Sequence, residues 1–289
     1  DLNPDLLVAM GEADADDFVT RVLEFAHKLI IEQSSLVVAL DRFMAGRLRA
    51  AGNVKSKMQI MPPWPHENHL VPVPHEQNPF RKAQGLDGKF VIMYSGNHTP
   101  SHPLTTLLEA ALVYKDDPSI EFLFIGGGLA KKDVEAHIKK HEQKNVRSLP
   151  YQPLDQLRYS LCAADVHVVA LGNNMVGIVH PCKIYGAMAV GRPILYFGPR
   201  PSHVTDLLDE HHIGLAVTHG DVQGAIGAIE RLRALSPEKR LAMGLTGQRV
   251  MSERLSQKIL RTRFCDFLEQ AFEGRKVVNS PLDTAYETA

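Results

Sequence analysis

The sequence predicts an α/β fold built on a parallel sheet. From residue 90 onward, short runs of β-branched and aromatic residues alternate with stretches of helical periodicity. Glycine-rich turns, such as residues 126–128 (GGG), stand between a strand pattern and the helix pattern that follows it. Strands that alternate with helices form βαβ units, in which helices cover both faces of a parallel sheet. A doubly wound α/β domain is therefore expected.

Each predicted strand is a short, mostly apolar run closed by a turn residue. The strands are residues 90–94, 120–125, 146–149, 166–170, 193–197 and 214–218. The helices follow them at residues 103–114, 129–143, 154–164, 182–190, 202–209, 221–235, 237–254 and 256–272. Pro103 and Pro237 stand in the first turn of their helices, where the N–H that proline lacks has no helical partner anyway. The pattern indicates one complete α/β domain.

The first 61 residues have the pattern of the end of a second α/β domain. Helical periodicity at residues 16–30 and 42–50 alternates with strand-like runs at residues 35–40 and 58–61. Two strands do not make a stable sheet on their own. We therefore expect residues 1–61 to be the last part of a domain whose start precedes this chain.

The remaining boundaries follow from composition. Residues 62–88 hold six prolines and three histidines with little periodicity, which is typical of an interdomain linker that is partly extended because proline fixes φ. Residues 89–254 form the complete domain, and a helix in residues 255–273 is expected to pack back on the first domain. Residues 274–289 have no core pattern and are expected to form a disordered tail.

The composition excludes several classes of protein. Thirty-two Lys and Arg residues against thirty-three Asp and Glu residues leave no global positive field for nucleic acid. The apolar runs are too short to span a bilayer, and the first residues lack the sections of a secretory signal. Three cysteines do not suggest a disulfide framework, and the linker histidines lack the spacing of zinc ligands. A globular protein of the cytoplasm without a metal site is expected.

The loops after the predicted strands are the places where a ligand would bind. In an open parallel sheet, ligands lie outside the carboxyl ends of the strands. Residues 94–98 (YSGNH) join a strand to a helix, and a glycine there lets backbone N–H groups approach an anion. Residues 126–128 form a second such loop. A tight turn or close packing of strand and helix is the alternative interpretation of each loop.

Lys183 is the charged residue that best fits an anion site. Gly177 and Pro181 precede it and place it near the start of a helix whose body is small and apolar. A lysine in the first turn opposes the helix dipole, at a cost of about 0.3 kcal/mol or more, unless an anion is bound there. A lysine that faces solvent is the alternative.

One segment resembles a known family. Residues 177–195 (GIVHPCKIYGAMAVGRPIL) are similar to the donor-site segment of glycosyltransferase family 4, also called group 1. The similarity is closest to the bacterial exopolysaccharide and O-antigen branch, the group around an N-acetyl-fucosamine transferase. Seven further matches follow in order, at residues 1–5, 42–44 with 62–64, 78–81, 94–98, 124–128, 150–153 and 163–166. The resemblance covers about residues 1–272, and an ordered set of matches is more specific than any one of them.

The resemblance implies a GT-B fold, in which two Rossmann-like domains enclose the active site. Here the C-terminal domain would be complete and the N-terminal, acceptor-side domain would be truncated. The family transfers a sugar, with retention of its anomeric configuration, from a UDP- or GDP-sugar donor. The implied acceptor is a lipid-linked oligosaccharide or a polysaccharide. No metal or other cofactor is implied, and the location would be cytoplasmic, with peripheral membrane contact through the N-terminal domain.

The resemblance also assigns residues to the donor site. Lys183 would contact the diphosphate oxygens beside Gly96 and Asn97, and Pro150-Tyr151 would lie along the nucleobase. The full set of expected contacts to the nucleotide-sugar is Gly96, Asn97, His98, Gly127, Pro150, Tyr151, Gly177, Ile178, Pro181, Lys183, Tyr185 and Gly186. The expected catalytic residues are His180 and Lys183, and a structural histidine with satisfied hydrogen bonds is the alternative for His180.

This sequence departs from the family at two positions. Ile178 and Gly186 stand where many members carry glutamates, and the second glutamate commonly binds the ribose hydroxyls. A non-catalytic module that binds a nucleotide-sugar is therefore an alternative function. Another GT-B enzyme, such as a nucleotide-sugar 2-epimerase, is a further alternative. The fragment alone is expected to bind donor and to be inactive.

Overall fold

The structure is a computed structural model that describes residues 1–54, 56–64 and 70–274. The predicted disordered tail, residues 274–289, lies outside the described residues apart from Gly274. Within the described ranges, every helix is too short or too polar to cross a lipid bilayer.

Residues 1–61, the first segment, begin with helices and end on a strand. The elements among its described residues are α1 (Asp5–Ala9), α2 (Phe18–Gln33), β1 (Val37–Ala39), α3 (Arg42–Ala51) and β2 (Met58–Ile60). β1 and β2 pair in parallel, as expected for a piece of an α/β domain. α1 was not predicted from the sequence, because a helix of five residues is too short to show a helical period.

The main sheet has six strands, all of them parallel. They are β3 (Phe90–Ser95), β4 (Ile120–Ile125), β5 (Val146–Leu149), β6 (Val166–Ala170), β7 (Ile194–Phe197) and β8 (Gly214–Val217). Their order is β5-β4-β3-β6-β7-β8, which is the order of a doubly wound sheet. Every residue of β4 and β6 is buried, as in strands with helices on both faces. The predicted α/β class is confirmed.

The helices of this domain lie on the two faces of the sheet. They are α4 (Pro79–Ala83), α5 (Thr105–Ala111), α6 (Lys131–His141), α7 (Leu157–Cys162), α8 (Lys183–Ala189), α9 (His203–His211), α10 (Val222–Ala234), α11 (Pro237–Arg254) and α12 (Gln257–Phe272). Successive strand residues point to opposite faces. On one face Ile92 and Phe124 pack with α5 and α10, and on the other Val91 and Met93 pack with Phe80 of α4.

The predicted linker packs on this domain over its second half. Residues 70–88 contain a short 3₁₀ turn and α4, and they bury Leu70, Val73, Phe80 and Leu86. This part of the predicted linker therefore packs against the main domain. The sequence pattern did not predict this packing, because the buried apolar residues of the stretch are spaced irregularly between prolines.

Arg81 of α4 holds this packed stretch in place. Its side chain is 3% exposed, and the guanidinium donates to the backbone carbonyls of Ala163, Leu86 and Lys89 at 2.6, 2.6 and 2.7 Å. The Asp165 carboxylate lies 3.4 Å away and also accepts from a backbone N–H of β3. Arg81 thus ties the end of the linker, β3 and the start of β6 together.

A buried chain of hydrogen bonds joins the first segment to the main domain. Asp41, at the start of α3, lies with its Oδ2 2.7 Å from Nδ1 of His180. His180 Nε2 lies 2.8 Å from the hydroxyl of Tyr185 in α8, and that hydroxyl lies 3.0 Å from Nε2 of His203 in α9. All four residues are buried. We call them the junction network.

Further contacts surround the junction network. Arg42 makes a bidentate ion pair with Asp206 of α9, at 2.7 and 2.9 Å. Arg47 Nε donates to the carbonyl of Val176 at 3.0 Å. At the far end of the chain, α12 reaches the first segment, where Arg263 donates to the carbonyl of Ile60 at 3.4 Å. The loop before α8 is therefore held by residues of the first segment.

We expect Arg81→Met to lower the free energy of unfolding by about 3 kcal/mol, because two buried carbonyls and one partly buried carbonyl lose the guanidinium as a donor and Asp165 loses its nearest cation. Urea unfolding followed by circular dichroism measures the loss. Arg200→Met is the control, since Arg200 and its partner Asp209 are 52% and 58% exposed and the change should cost under about 0.5 kcal/mol. Similar losses for both variants would contradict the role given to Arg81.

We expect Asp41→Ala to cost about 3 kcal/mol of stability, since it removes both a helix cap and a buried charged acceptor. Asp41 Oδ1 accepts from the backbone N–H of Met44 at 2.8 Å, while Oδ2 accepts from His180. Asp41→Asn keeps the cap and should lose about half as much. Thermal and urea unfolding measure both variants. Equal losses would show that the cap accounts for none of the effect.

Candidate functional site

A cavity of about 300 Å³ lies at the carboxyl ends of β3 and β4. Four of the predicted donor contacts line it: Gly96 after β3, Tyr151 after β5, and Lys183 and Gly186 on α8. The other lining residues are Ser95, Ile125, Gln152, Leu154, Leu157, Ser160, Leu161, His167, Val168, Cys182 and Ala187. The position of the cavity agrees with the rule for ligands of open parallel sheets. We call it the donor cavity.

Two glycines bring the loops after β3 and β4 together beside the donor cavity, and Gly96 is the one that lines it. Gly96 has φ +132° and Gly126 has φ +134°, a region that side chains strongly disfavour. A Cβ on Gly126 would lie 2.0 Å from the carbonyl oxygen of Gly96, and a Cβ on Gly96 would lie 2.8 Å from Cε of Lys183. Only glycine allows the two loops and the lysine to approach this closely. As a result, Gly96 and Lys183 lie directly against each other in the cavity lining.

Lys183 is the cation of the donor cavity. It begins α8, and its Nζ lies 5.1 Å from the centre of the Tyr94 ring. Burial lowers the pKa of Lys183 to about 8, and no carboxylate of the described residues offsets that effect. A partly buried lysine without an acidic partner, at the start of a helix, favours a bound anion.

His98 and Lys131 organise the loops instead of facing the cavity. The His98 ring Nδ1 lies 3.1 Å from the carbonyl of Gly96 and 3.3 Å from that of Gly127, and its backbone N–H donates to Gly127 at 2.7 Å. Lys131 donates to the carbonyls of Gly126 and Leu149 at 2.7 and 2.9 Å. Burial lowers the pKa of His98. These contacts hold the loops after β3, β4 and β5 together.

Tyr151 provides an aromatic surface at the mouth of the cavity. Its side chain is 59% exposed, and Cε2 would lie 2.9 Å from a Cβ on Gly127, so the ring rests on that loop. Pro150 is exposed beside it, and its carbonyl accepts from the Gln152 amide at 2.9 Å. Asn97 is also exposed, and its carbonyl accepts from the Tyr94 hydroxyl at 2.9 Å. Of the predicted nucleobase and diphosphate contacts, Tyr151, Gly96 and Lys183 line the cavity, whereas Pro150, Asn97 and Gly127 are not part of its lining.

The structure does not bring His180 and Tyr185 to the donor cavity. The His180 side chain is 1% exposed, and Tyr185 is 2% exposed. Both ring nitrogens of His180 and the Tyr185 hydroxyl are used within the junction network. The expectation that these two side chains face the donor is corrected, because packing against α3 and α9 turns them inward.

The charges of the junction network have a consistent assignment. Burial raises the pKa of Asp41, but the hydrogen bond from His180 and the nearby His203 outweigh it, so the pKa lies below its usual value. An ionised Asp41 accepts from His180 Nδ1–H. His180 Nε2 then accepts from the Tyr185 hydroxyl, which in turn accepts from Nε2–H of His203. Burial lowers the pKa of His203 to about 3, in agreement with a neutral ring.

Asp41, His180 and His203 also have the residue types of metal ligands, and their ligand atoms lie within 4.8 Å of one another. Two ligands on one zinc ion are about 3.3 Å apart. Asp41 and His180 are 2.7 Å apart, which is a direct hydrogen bond, and the Tyr185 hydroxyl bonds to both histidines. The geometry is that of a hydrogen-bonded network.

Gly177, Ile178 and Pro181 lie on the side of the first segment. A Cβ on Gly177 would be 2.7 Å from the carbonyl oxygen of Phe43, and the Ile178 carbonyl accepts from the Leu2 N–H at 2.9 Å. Pro181 is buried. Ile178 belongs to a second cavity of about 570 Å³, the junction cavity. Its lining is Asp5, Val8, Ala9, Glu24, Arg47, Asn173, Asn174, Val176 and Ile178.

Sequence reasoning missed several residues of these sites. Lys131 carries the signal that identified Lys183, a lysine in the first turn of a helix after a glycine loop. Asp41 could have been recognised as a helix cap, but its bond to His180 spans 139 positions of the chain. Ser160 and His203 have no local signal, since folding alone brings them to these sites.

Comparison with known proteins identifies the family of this domain. The profile described as "Glycosyl transferases group 1" matches residues 89–234. WbjE of Pseudomonas aeruginosa, named as a probable glycosyltransferase, is 25% identical over 277 residues, which cover 96% of this chain and 68% of WbjE. WcaI of Escherichia coli, named for colanic acid biosynthesis, is 32% identical over 105 residues, which cover 36% of this chain and 26% of WcaI.

Solved structures share the fold. HepE of Anabaena, in complex with UDP and glucose, is 17% identical with a TM-score of 0.73, over 89% of this chain and 68% of HepE. A sucrose-phosphate synthase of Thermosynechococcus elongatus is 17% identical with a TM-score of 0.74, over 92% of this chain and 66% of the synthase. These similarities confirm the predicted GT-B fold class. Together with the profile match, which covers half of the chain, they lead to one conclusion: this chain belongs to the group 1 glycosyltransferase family.

Proposed function

We propose that this chain carries the donor site of a retaining glycosyltransferase of cell-surface polysaccharide synthesis. The donor is a UDP- or GDP-sugar, and the acceptor is a lipid-linked oligosaccharide or a polysaccharide at the cytoplasmic face of the membrane. The observation that carries the proposal is Lys183, a partly buried cation without an acidic partner beside two bare glycine loops. The UDP and UDP-glucose complexes of HepE and the colanic acid role in the name of WcaI support it.

The residues of the donor cavity suit a nucleoside diphosphate. Gly96 lines the cavity without a side chain and leaves room for the diphosphate, and Lys183 supplies a positive charge from the start of α8. Negative charge grows on the diphosphate as the sugar leaves, so a fixed cation stabilises the transition state more than the ground state. This role makes Lys183 the catalytic residue of the proposal. Tyr151 offers its ring to the nucleobase at the cavity mouth.

The junction network affects the proposed reaction indirectly, by positioning the start of α8. His180 precedes Lys183 by three residues, and its bond to Asp41 holds the start of α8 against the first segment. We therefore treat His180 as a positioning residue. The junction cavity beyond it offers the Asn173 and Asn174 amides and the Asp5 carboxylate, groups that suit the hydroxyls of a sugar.

A non-catalytic module that binds a nucleotide-sugar is the second candidate. Ile178 and Gly186 favour it, because neither supplies the carboxylate that many family members carry there. The test is to incubate the complete protein with membranes and radiolabelled UDP- and GDP-sugars. Label transferred to lipid or polysaccharide supports the transferase. Donor binding without transfer would refute the transferase function and support the non-catalytic binding module.

We expect Lys183→Met to weaken UDP binding by at least about tenfold at pH 7, because the diphosphate loses its charged hydrogen-bond donor. Isothermal titration calorimetry with UDP measures the change. Lys132→Met is the matched control, because Lys132 is exposed on α6. This variant should bind UDP with the affinity of the native chain. Unchanged affinity in the Lys183 variant would refute the phosphate assignment.

We also expect UDP affinity to fall as the pH rises through about 8, where free Lys183 loses its proton. Below that pH the lysine is charged and ready to bind. Above it, binding must first take up a proton, so affinity should drop by about tenfold for each further pH unit. Titrations between pH 6.5 and about 9.5 measure the slope, which should vanish in Lys183→Met. A slope that persists in the variant would assign it to another group.

A further inference from the structure

The side chain of Lys183 has the surroundings of a reactive amine. It lies against Gly96 in the wall of the donor cavity, and its Nζ lies 5.1 Å from the centre of the buried Tyr94 ring. Burial disfavours the ammonium form and lowers the pKa of Lys183 to about 8. A share of Lys183 is therefore a neutral amine at neutral pH, and this is the form that attacks electrophiles.

The titratable groups around Lys183 do not stabilise its proton. They are Cys182, His98 and His102. Burial lowers the pKa of His98, and it lowers that of His102 to about 3, so both rings are neutral at pH 7. Within the described part of the chain, no carboxylate acts on the amine.

Lys131 offers a contrast within the same protein. Both Lys131 and Lys183 begin a helix, α6 and α8 respectively. The Lys131 side chain is 18% exposed, and its ammonium donates to the carbonyls of Gly126 and Leu149 at 2.7 and 2.9 Å. An ammonium nitrogen that donates in this way has no lone pair with which to attack. The two lysines therefore share a place in their helices but differ in their capacity to react.

The donor cavity gives a small anion access to the Lys183 amine. Its volume of about 300 Å³ exceeds that of a small acyl phosphate. Among the lining residues that the structure describes, Lys183 carries a charge and no carboxylate is present. A phosphoryl group in the cavity meets a cation without competition from an acidic side chain. The cavity thus favours an anionic electrophile beside the amine.

We propose that Lys183 is a modification site at which acyl phosphates acylate the side chain and thereby close the donor cavity to nucleotide-sugars. The neutral Nζ attacks the carbonyl carbon, a C–N bond forms, and the bond from that carbon to the phosphate oxygen breaks. Inorganic phosphate leaves with a proton of the amine, and an amide remains. The amide is neutral, so the cavity loses its cation. The closure rests on the proposed function, whereas the acylation does not.

The difference in reactivity has an expected size. At pH 7 about one tenth of Lys183 is neutral, against about one in 2,500 of lysines with the ordinary pKa of about 10.4. A less basic amine attacks more slowly, which offsets part of this advantage. We expect Lys183 to be acylated at least about tenfold faster than the exposed Lys132. Lys131 should react no faster than Lys132.

The first experiment compares these lysines in one sample. The complete protein is incubated with acetyl phosphate at pH 7 and treated with hydroxylamine, which removes any thioester from Cys182 and leaves amides. Digestion and mass spectrometry then give the rate of acetylation at each lysine. A smaller ratio of Lys183 to Lys132 than the expected one would overturn the proposal. Acetylation of Lys131 at the rate of Lys183 would contradict the role given to the missing hydrogen-bond partner.

A second measurement adds UDP. Saturating UDP should protect Lys183 and leave the rate at Lys132 unchanged, and the share of protein that binds UDP should fall in step with acetylation at Lys183. Binding of UDP without protection would overturn the proposed closure of the cavity. Fast acetylation of a protein that does not bind UDP would refute the donor function and keep the modification site. Binding of UDP by a protein with an unreactive Lys183 would refute the modification and keep the donor function.

Discussion

The close approach of two backbone loops is the constraint on which the donor site depends. Parallel strands bring the ends of β3 and β4 to the same edge of the sheet, and a Cβ on Gly126 would lie 2.0 Å from the Gly96 carbonyl. A side chain at either glycine would therefore separate the loops or displace Lys183. The bonds of His98 and Lys131 to loop carbonyls keep the arrangement in place. Lys183 lies against this close approach without an acidic partner among the described residues, an arrangement that favours an anionic ligand.

The second constraint is the junction between the first segment and the main domain. A buried carboxylate is costly unless it is hydrogen-bonded, and Asp41 finds its partner in His180, near the start of α8. The bond thus links the stability of α3 to the position of Lys183. Because His180 and Tyr185 are buried in the junction network, their side chains do not reach the donor cavity. They influence the site by holding the start of α8 in place.

The two departures from the family pattern differ in consequence. Ile178 is 3% exposed and packs in the core beside the junction cavity, where a carboxylate would need a buried partner. Gly186 lies on the wall of the donor cavity and leaves space for a side chain. The first departure therefore belongs to the packing of the junction. The second belongs to the lining of the donor cavity.

The sequence by itself determined the layered α/β domain, because short apolar runs and helical periods are local patterns that burial on a sheet enforces. Strands β4, β5 and β6 were predicted residue for residue, and the glycine loops and Lys183 were found from turn and dipole chemistry. Only the tertiary structure decided the rest. It packed the proline-rich stretch onto the sheet through Arg81, and it paired Asp41 with His180 across 139 positions. Such contacts depend on how distant segments meet in space, which no local pattern encodes.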